Sequence, residues 1–372
     1  MLFERFQYLP ILKINRAEMI ALQELPNKDK NELLPIFSLK GWMSSKLLEN
    51  TLDRINDAYG VRPWIADIDS EFKSRALAEA EKGGFSRPVF KEFFELLKSN
   101  GGYENWCKFI GDKPNVYPCL IFDDLEELDA QVNYFKEIER PFFAYFKLYE
   151  LSTKDLENRL AALSNCAGSD ATFILDFGDI DISFKENIDA YINIVRKVTE
   201  RFEESFLAIS ATSFPFSFVN QFKGEVSIYE RQLFQEVSKK TQFNRLVYSD
   251  HGSTRVGRIG GGGGTPPPRI DYPLRLECKF FRAEFDDSKD IKEGEKESLY
   301  TEIAGKLIED DDWIPNLNVW GKQVIELTSV GDKFGIRTAQ DATAVRINLH
   351  LFQQLHFHDV AGEIDTDEEW ID

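Results

Sequence analysis

The chain has 372 residues, room for one large domain or two to three smaller ones at about 150 residues each. Lysine and arginine number 45 against 64 aspartates and glutamates. The resulting formal charge of −19 repels phosphates at long range, which excludes a general coat for nucleic acid or anionic membrane and leaves only a local basic cleft open to them. Hydrophobic residues make up 42% and phenylalanines number 31, ample for a large core, so disorder is excluded as the general state.

Short apolar runs alternate with longer amphipathic stretches, the pattern of βα units building a parallel sheet. YLPILKI (8–14) precedes a helical stretch from Arg16 to about Leu25, and LLPIFSL (33–39) a helix expected to open at Ser44 or Ser45. RPWIADI (62–68) is followed by a polar segment, 69–85, and a helix expected at Ser86 with Pro88 in its first turn. VYPCLIF (116–122) leads into a helix expected through Leu125, Leu128, Val132 and Phe135. PFFAYFKL (141–148) leads into a capping box at Ser152 and Asp155 and a helix with Leu156, Leu160 and Leu163 on one face. ATFILDF (171–177) is followed by Ser183 and Glu186, spaced as a second capping box. FLAISAT (206–212) precedes a helix expected from Val226 to Val237, and RLVYSD (245–250) is the eighth run. Eight strands with intervening helices predict a (β/α)8 TIM-like barrel. An open doubly wound sheet is the alternative; closure is favoured because all eight runs are apolar enough to be covered on both faces.

These units assign 1–256 to barrel strands and helices. The stretch 257–273, with five glycines then three prolines, reads as a loop, either a surface connection or a lid. An extra strand and C-terminal helices completing the barrel are expected over 274–358. The tail, 359–372, carries seven acidic residues and no basic one. Cys107, Cys119, Cys166 and Cys278 lie too far apart for a zinc or redox motif, and are expected as reduced thiols in a cytoplasmic protein. No uninterrupted apolar run approaches the roughly 18–20 residues of a membrane span, so no membrane association is expected.

In a barrel, function sits where the strands end. Those ends carry Lys13, Lys40, Asp67, Asp123, Lys147, Asp176, Ser210, and Asp250 with His251. Capping explains one acid per loop but not the lysines, so the set reads as a polar basin. Asp67, Asp176, Asp250 and His251 are the candidate catalytic groups; Lys13, Arg16, Lys40, Lys147, Ser210, Arg346 and His350 are the candidates for binding substrate. Asp67, Asp123, Asp176 and Asp250 are candidate ligands for Mg²⁺ or Mn²⁺, hard ions that prefer oxygen. One aspartate acting as acid or base beside a lysine, without metal, fits equally. Nucleic acid would need the cluster Arg255, Arg258, Arg269 and Arg275.

The opening YLPILKINRAEMIAL (8–22), the runs LLPIFSLK and RPWIADID, the ending VYSDHG (247–252), and WGKQVIEL with AVRINLHL (320–327 and 344–351) resemble the beta protein family, named from a bacteriophage member. The matching positions carry forward Lys13, Arg16, Glu18, Asp67, Asp250, Arg346 and His350; the five-glycine stretch departs from the family pattern. The resemblance implies a phage-related or antiviral-defence setting and no defined reaction. With the basin it points to a hydrolase acting on a phosphate-containing substrate, a nucleotide or nucleic acid, that is metal-dependent if the acids hold an ion. The alternative is a non-catalytic module that senses or binds a phage or host protein. The sequence leaves oligomeric state open.

Overall fold

A computed structural model describes residues 5–168, 171–257, 264–287 and 290–359. The first elements in chain order are β1 (Tyr8–Lys13), α1 (Arg16–Gln23), α2 (Asn27–Lys30), β2 (Ile36–Leu39), α3 (Glu49–Tyr59) and β3 (Trp64–Ile68). Then come α4 (Ser70–Glu81), α5 (Pro88–Leu96), α6 (Asn100–Gly111), β4 (Val116–Pro118), α7 (Leu128–Glu137), β5 (Phe143–Lys147), α8 (Thr153–Cys166) and β6 (Thr172–Asp179). The chain continues through α9 (Ile188–Thr199), β7 (Leu207–Thr212), β8 (Lys223–Ser227), α10 (Tyr229–Thr241) and β9 (Leu246–Asp250). It closes with β10 (Arg269–Pro273), β11 (Glu277–Arg282), α11 (Glu295–Ile308), α12 (Trp320–Ser329) and α13 (Ala339–Leu355).

Two units result. The first takes the chain up to Asn15, Leu33–Ala211 and Glu230–His251; the second takes Arg16–Glu32, Thr212–Tyr229 and the chain from Gly252. In the first, eight parallel strands lie in the order β4-β3-β2-β1-β9-β7-β6-β5. A parallel bridge between Cys119 and Phe143 brings the two ends together, with Leu120 N–H donating to the Phe143 carbonyl at 2.8 Å. The sheet is therefore a nearly closed (β/α)8 barrel and not an open one. Its interior is a single apolar cluster in which Ile11 of β1, Ile36 of β2, Ile65 of β3, Tyr145 of β5, Ile174 of β6 and Ala208 of β7 meet, with Val247 of β9 packed against them. A ring of this kind leaves no long open edge on which chains aggregate.

The second unit holds an antiparallel sheet, β10-β11-β8, with α1, α2 and α11 to α13. Helix α13 opens on a capping box at Thr338 and Asp341. Gly321 lets α12 approach it: a Cβ there would lie 2.8 Å from Leu349 and 2.9 Å from the Val345 carbonyl. Asn348 joins the approach, accepting from Gly321 N–H and donating to the Ala21 carbonyl of α1, both at 2.9 Å.

Several local expectations change. The polar segment after β3 is helix α4, capped by Asp69, which accepts from Phe72 N–H; only Ala76 of this helix is fully buried, so its apolar period is weak in the sequence. Ser86 does not cap α5, because Glu79 accepts both its N–H and its hydroxyl at 2.7 Å, and Arg87 takes the cap position. Helix α3 opens at Glu49, past Ser44 and Ser45. The Ser183 and Glu186 box does not form: Asp181 caps a short 3-10 turn instead, and α9 starts at Ile188. Residues 226 and 227 belong to β8 and not to the helix expected there, because Val226 packs with Phe214, Phe218 and Phe280. The glycine and proline stretch ends in strand β10, whose Ile270 and Tyr272 are buried; its residues 258–263 lie outside the described residues, as does the tail beyond Asp359.

Candidate functional site

Side chains alternate across a strand, so residues two beyond an interior position also face inward. By this rule Lys13 follows Ile11, Asp67 follows Ile65, Lys147 follows Tyr145, Asp176 follows Ile174 and Ser210 follows Ala208, while Ser249 and His251 follow Val247. Lys13, Ser38 and Asp67 are level in the register, and Lys147 is level with Asp176. One end of the barrel therefore presents lysines, aspartates, serines and a histidine above an apolar floor.

Two groups are joined there. Lys147 donates to Asp67 at 2.8 Å, with side chains 17% and 14% exposed, so the pair reaches water. Burial works against the Lys147 charge, but Asp67 outweighs it and the ammonium pKa is raised. The pair borders a cavity of about 160 Å³ that Lys73, Asp123, Tyr145 and Arg159 also line. Tyr145 is the wall shared with the second group. Its hydroxyl donates to Asp176 at 2.8 Å, and the other Asp176 oxygen lies 3.0 Å from His251 Nε2 and accepts from Gly178 N–H at 3.0 Å. Burial alone would raise the Asp176 pKa, yet His251, the Gly178 amide and Tyr145 together hold it below the usual carboxylate range. Burial and Asp176 push the Tyr145 phenol far above its ordinary value. Gly178 has a φ of 73°, and a Cβ there would lie 2.6 Å from the Tyr149 ring, so glycine is what allows that ring to lie against the end of β6.

Asp250 stands apart. It is the last residue of β9, immediately before His251, and successive residues of an extended chain face opposite ways. Its carboxylate accepts from Tyr8 at 2.5 Å and Tyr248 at 2.8 Å, and the two rings stack with centroids 5.4 Å apart. The Arg231 guanidinium of α10 sits 3.5 Å from the Tyr248 ring centroid. This network lies between the outside of the sheet and a helix, and both phenols are raised well above their ordinary pKa by burial and Asp250.

The four aspartates expected to share a metal are thus each engaged by protein donors: Asp67 by Lys147, Asp123 by Lys73, Asp176 by His251 and Tyr145, Asp250 by two tyrosines. Among the described residues, no set of three ligating atoms within 4.8 Å of one another includes more than one of them. Lys40 donates to Asn15 at 2.6 Å. Ser210 is fully buried, and its Oγ has no hydrogen-bond partner among the described residues.

Other candidates fall in the second unit. Arg16 is exposed at the start of α1, Glu18 is buried in the same first turn, and His350 is buried in α13. Arg346 donates to Asp271 at 2.8 Å and lies 3.9 Å from the Phe214 ring centroid. Thr212 and Ser213 donate their hydroxyls to the Thr254 and Ser227 carbonyls. Arg255 donates to the Pro215 carbonyl, Arg269 to Asp271 and Arg275 to the Asp359 carbonyl, while Arg258 lies outside the described residues. Sequence reasoning missed Tyr145, Lys73 and Arg159. Tyr145 was legible, two residues before Lys147 on the same strand face; Lys73 and Arg159 come from helices, for which strand endings give no signal.

Two comparisons bear on this geometry. Residues 8–356 match the family model described as Beta protein. The chain is also 26% identical over 377 residues to Protein beta of Enterobacteria phage P4, covering 99% of this chain and 98% of that protein. Among the described residues no helix is long and apolar enough to cross a membrane.

Proposed function

The chain belongs to the beta protein family and is phage-related, and from that premise we propose that its barrel mouth binds and hydrolyses a small phosphate ester, of nucleotide size, as part of a cytoplasmic antiviral-defence function. The observation that carries the reading is the convergence of Lys147, Asp67, Asp176 and His251 at one mouth, beside a buried Ser210 hydroxyl that no group among the described residues satisfies. A buried hydroxyl left unpaired costs about 1–3 kcal/mol, and a ligand oxygen would recover it.

The roles follow from residue chemistry. Lys147, with Lys73 and Arg159 across the cavity, would meet phosphate oxygens. The Asp176 and His251 pair would serve as acid and base, the carboxylate orienting the ring and stabilising it when it takes a proton from the attacking water. A site of about 160 Å³ on a chain of charge −19 favours a compact ester over a nucleic-acid strand. Lys147 and Lys73 already neutralise Asp67 and Asp123, so the roles above use no divalent cation.

The test is phosphate release from a panel of nucleoside mono-, di- and triphosphates and short oligonucleotides, each with Mg²⁺, with Mn²⁺ and with chelator. Release that His251→Gln abolishes without lowering the melting temperature supports the reading. If no compound is turned over while one still binds at the mouth, the site is a sensor's. Neither turnover nor binding anywhere in the panel ends the proposal.

A further inference from the structure

The small sheet of the second unit has two edges of different character. Strand β10 is almost wholly buried, whereas β8 is exposed or half-exposed along its length. Its hydrogen-bond phase is set by two contacts with the β11 side: Arg282 N–H donates to the Phe222 carbonyl at 2.7 Å, and Ile228 N–H to the Leu276 carbonyl at 2.8 Å. Residues Phe222, Gly224, Val226 and Ile228 therefore turn their peptide groups toward β11, and Lys223 and Glu225 turn theirs outward. Among the described residues no hydrogen bond engages those outward groups. An open edge of this kind is a template for another strand.

The edge is complementary to itself. About a two-fold axis through Gly224, an antiparallel copy sets Lys223 opposite Glu225 of the second copy, and Glu225 opposite its Lys223, with their outward N–H and C=O groups in the hydrogen-bonding phase. The same register sets Phe222 opposite Val226, and places glycine on the axis, where two chains must approach. The Lys223 and Glu225 side chains are 60% and 53% exposed, so both reach solvent although each also touches an opposite charge of its own chain, Asp310 and Lys279. The segment leading into the strand adds apolar area: Phe216, Val219 and Phe222 are 57%, 67% and 57% exposed. Exposed apolar residues grouped in this way mark interaction surfaces, and a short strand pair needs such area to approach the roughly 1,200 Å² of a stable interface.

We propose that β8 pairs with β8 of a second copy of this chain, joining the two three-stranded sheets into one of six strands. The proposal is independent of what the barrel mouth binds. Isologous pairing through one self-complementary patch is the commonest route to a closed dimer.

The test uses the full chain in light scattering coupled to size exclusion, across a wide range of concentration. The wild type is expected at the mass of two chains. Glu225→Pro removes an outward N–H and leaves the β11 ladder intact, so it is expected at the mass of one chain with unchanged circular dichroism. Lys223→Glu or Glu225→Lys alone sets like charges opposite each other and should weaken association at least about tenfold. The double swap restores opposite charges and should regain most of that loss, a result that misfolding cannot produce. Slow amide exchange at residues 223 and 225 in the wild type, fast in either single swap, would confirm the register. A wild type at the mass of one chain throughout overturns the proposal, as does a dimer that Glu225→Pro leaves intact.

Discussion

Asp176 and Asp250 are both fully buried carboxylates near the ends of barrel strands, and each accepts from tyrosine. Asp250 faces outward and accepts from two phenols, one on β1 and one on β9, groups that do not exchange protons near neutrality. Asp176 faces inward, where its second side-chain partner is the His251 imidazole, and where Lys147 is level with it on β5 and the buried Ser210 lies on the neighbouring strand β7. Burial and residue type are the same in both places. On the proposed reading, the nature of the partners separates a carboxylate that holds strands together from one that serves the reaction.

The largest effect should come from removing the outward carboxylate. Asp250→Ala leaves two buried phenols without an acceptor and is expected to cost about 3–5 kcal/mol in urea unfolding. Tyr8→Phe and Tyr248→Phe should cost about 1–2 kcal/mol each. A loss below about 1 kcal/mol for Asp250→Ala would erase the contrast. For the inward group the effect moves from stability to turnover: His251→Gln should lower phosphate release at least about 100-fold, with Asp176→Asn close behind. Equal losses of turnover in a folded Asp250→Asn would break the distinction.

Lys147→Met should weaken phosphate-ester binding about tenfold. Its stability cost should stay near 1–2 kcal/mol, because Asp67 at 14% exposure keeps access to water. Isothermal titration and unfolding on one preparation would separate the two. The smallest effect is in the pH dependence. Asp176 is held below the usual carboxylate range when folded, so its contribution to stability is present above the unfolded value of about 4 and is lost as pH falls through the lower folded value. Asp176→Asn should therefore flatten the acid limb of a melting-temperature profile.

The barrel was legible because eight runs of β-branched and aromatic residues, each ending in polar residues, leave few other arrangements. Helix α4 was not, since a helix that buries one alanine shows little period. Strand β8 was not, since its Val226 is fixed by Phe218 and Phe280, the second of them 54 positions away by residue number. At the site, strand endings singled out Lys13, Asp67, Lys147, Asp176, Ser210 and His251, whose inward facing the fold supplied. Placing Asp250 and His251 together in one basin overlooked the alternation that the strand itself imposes. The helix-borne Lys73 and Arg159 required the fold.

A crystal structure of the chain soaked with inorganic phosphate tests most directly where the ligand sits. Phosphate bound within hydrogen-bonding distance of Lys147 Nζ at the barrel mouth, with the Tyr8, Asp250 and Tyr248 contacts unchanged, is the expected result. Phosphate held instead by Arg255 or Arg269 of the second unit, with the mouth closed by the Asp67 and Lys147 pair, would contradict it.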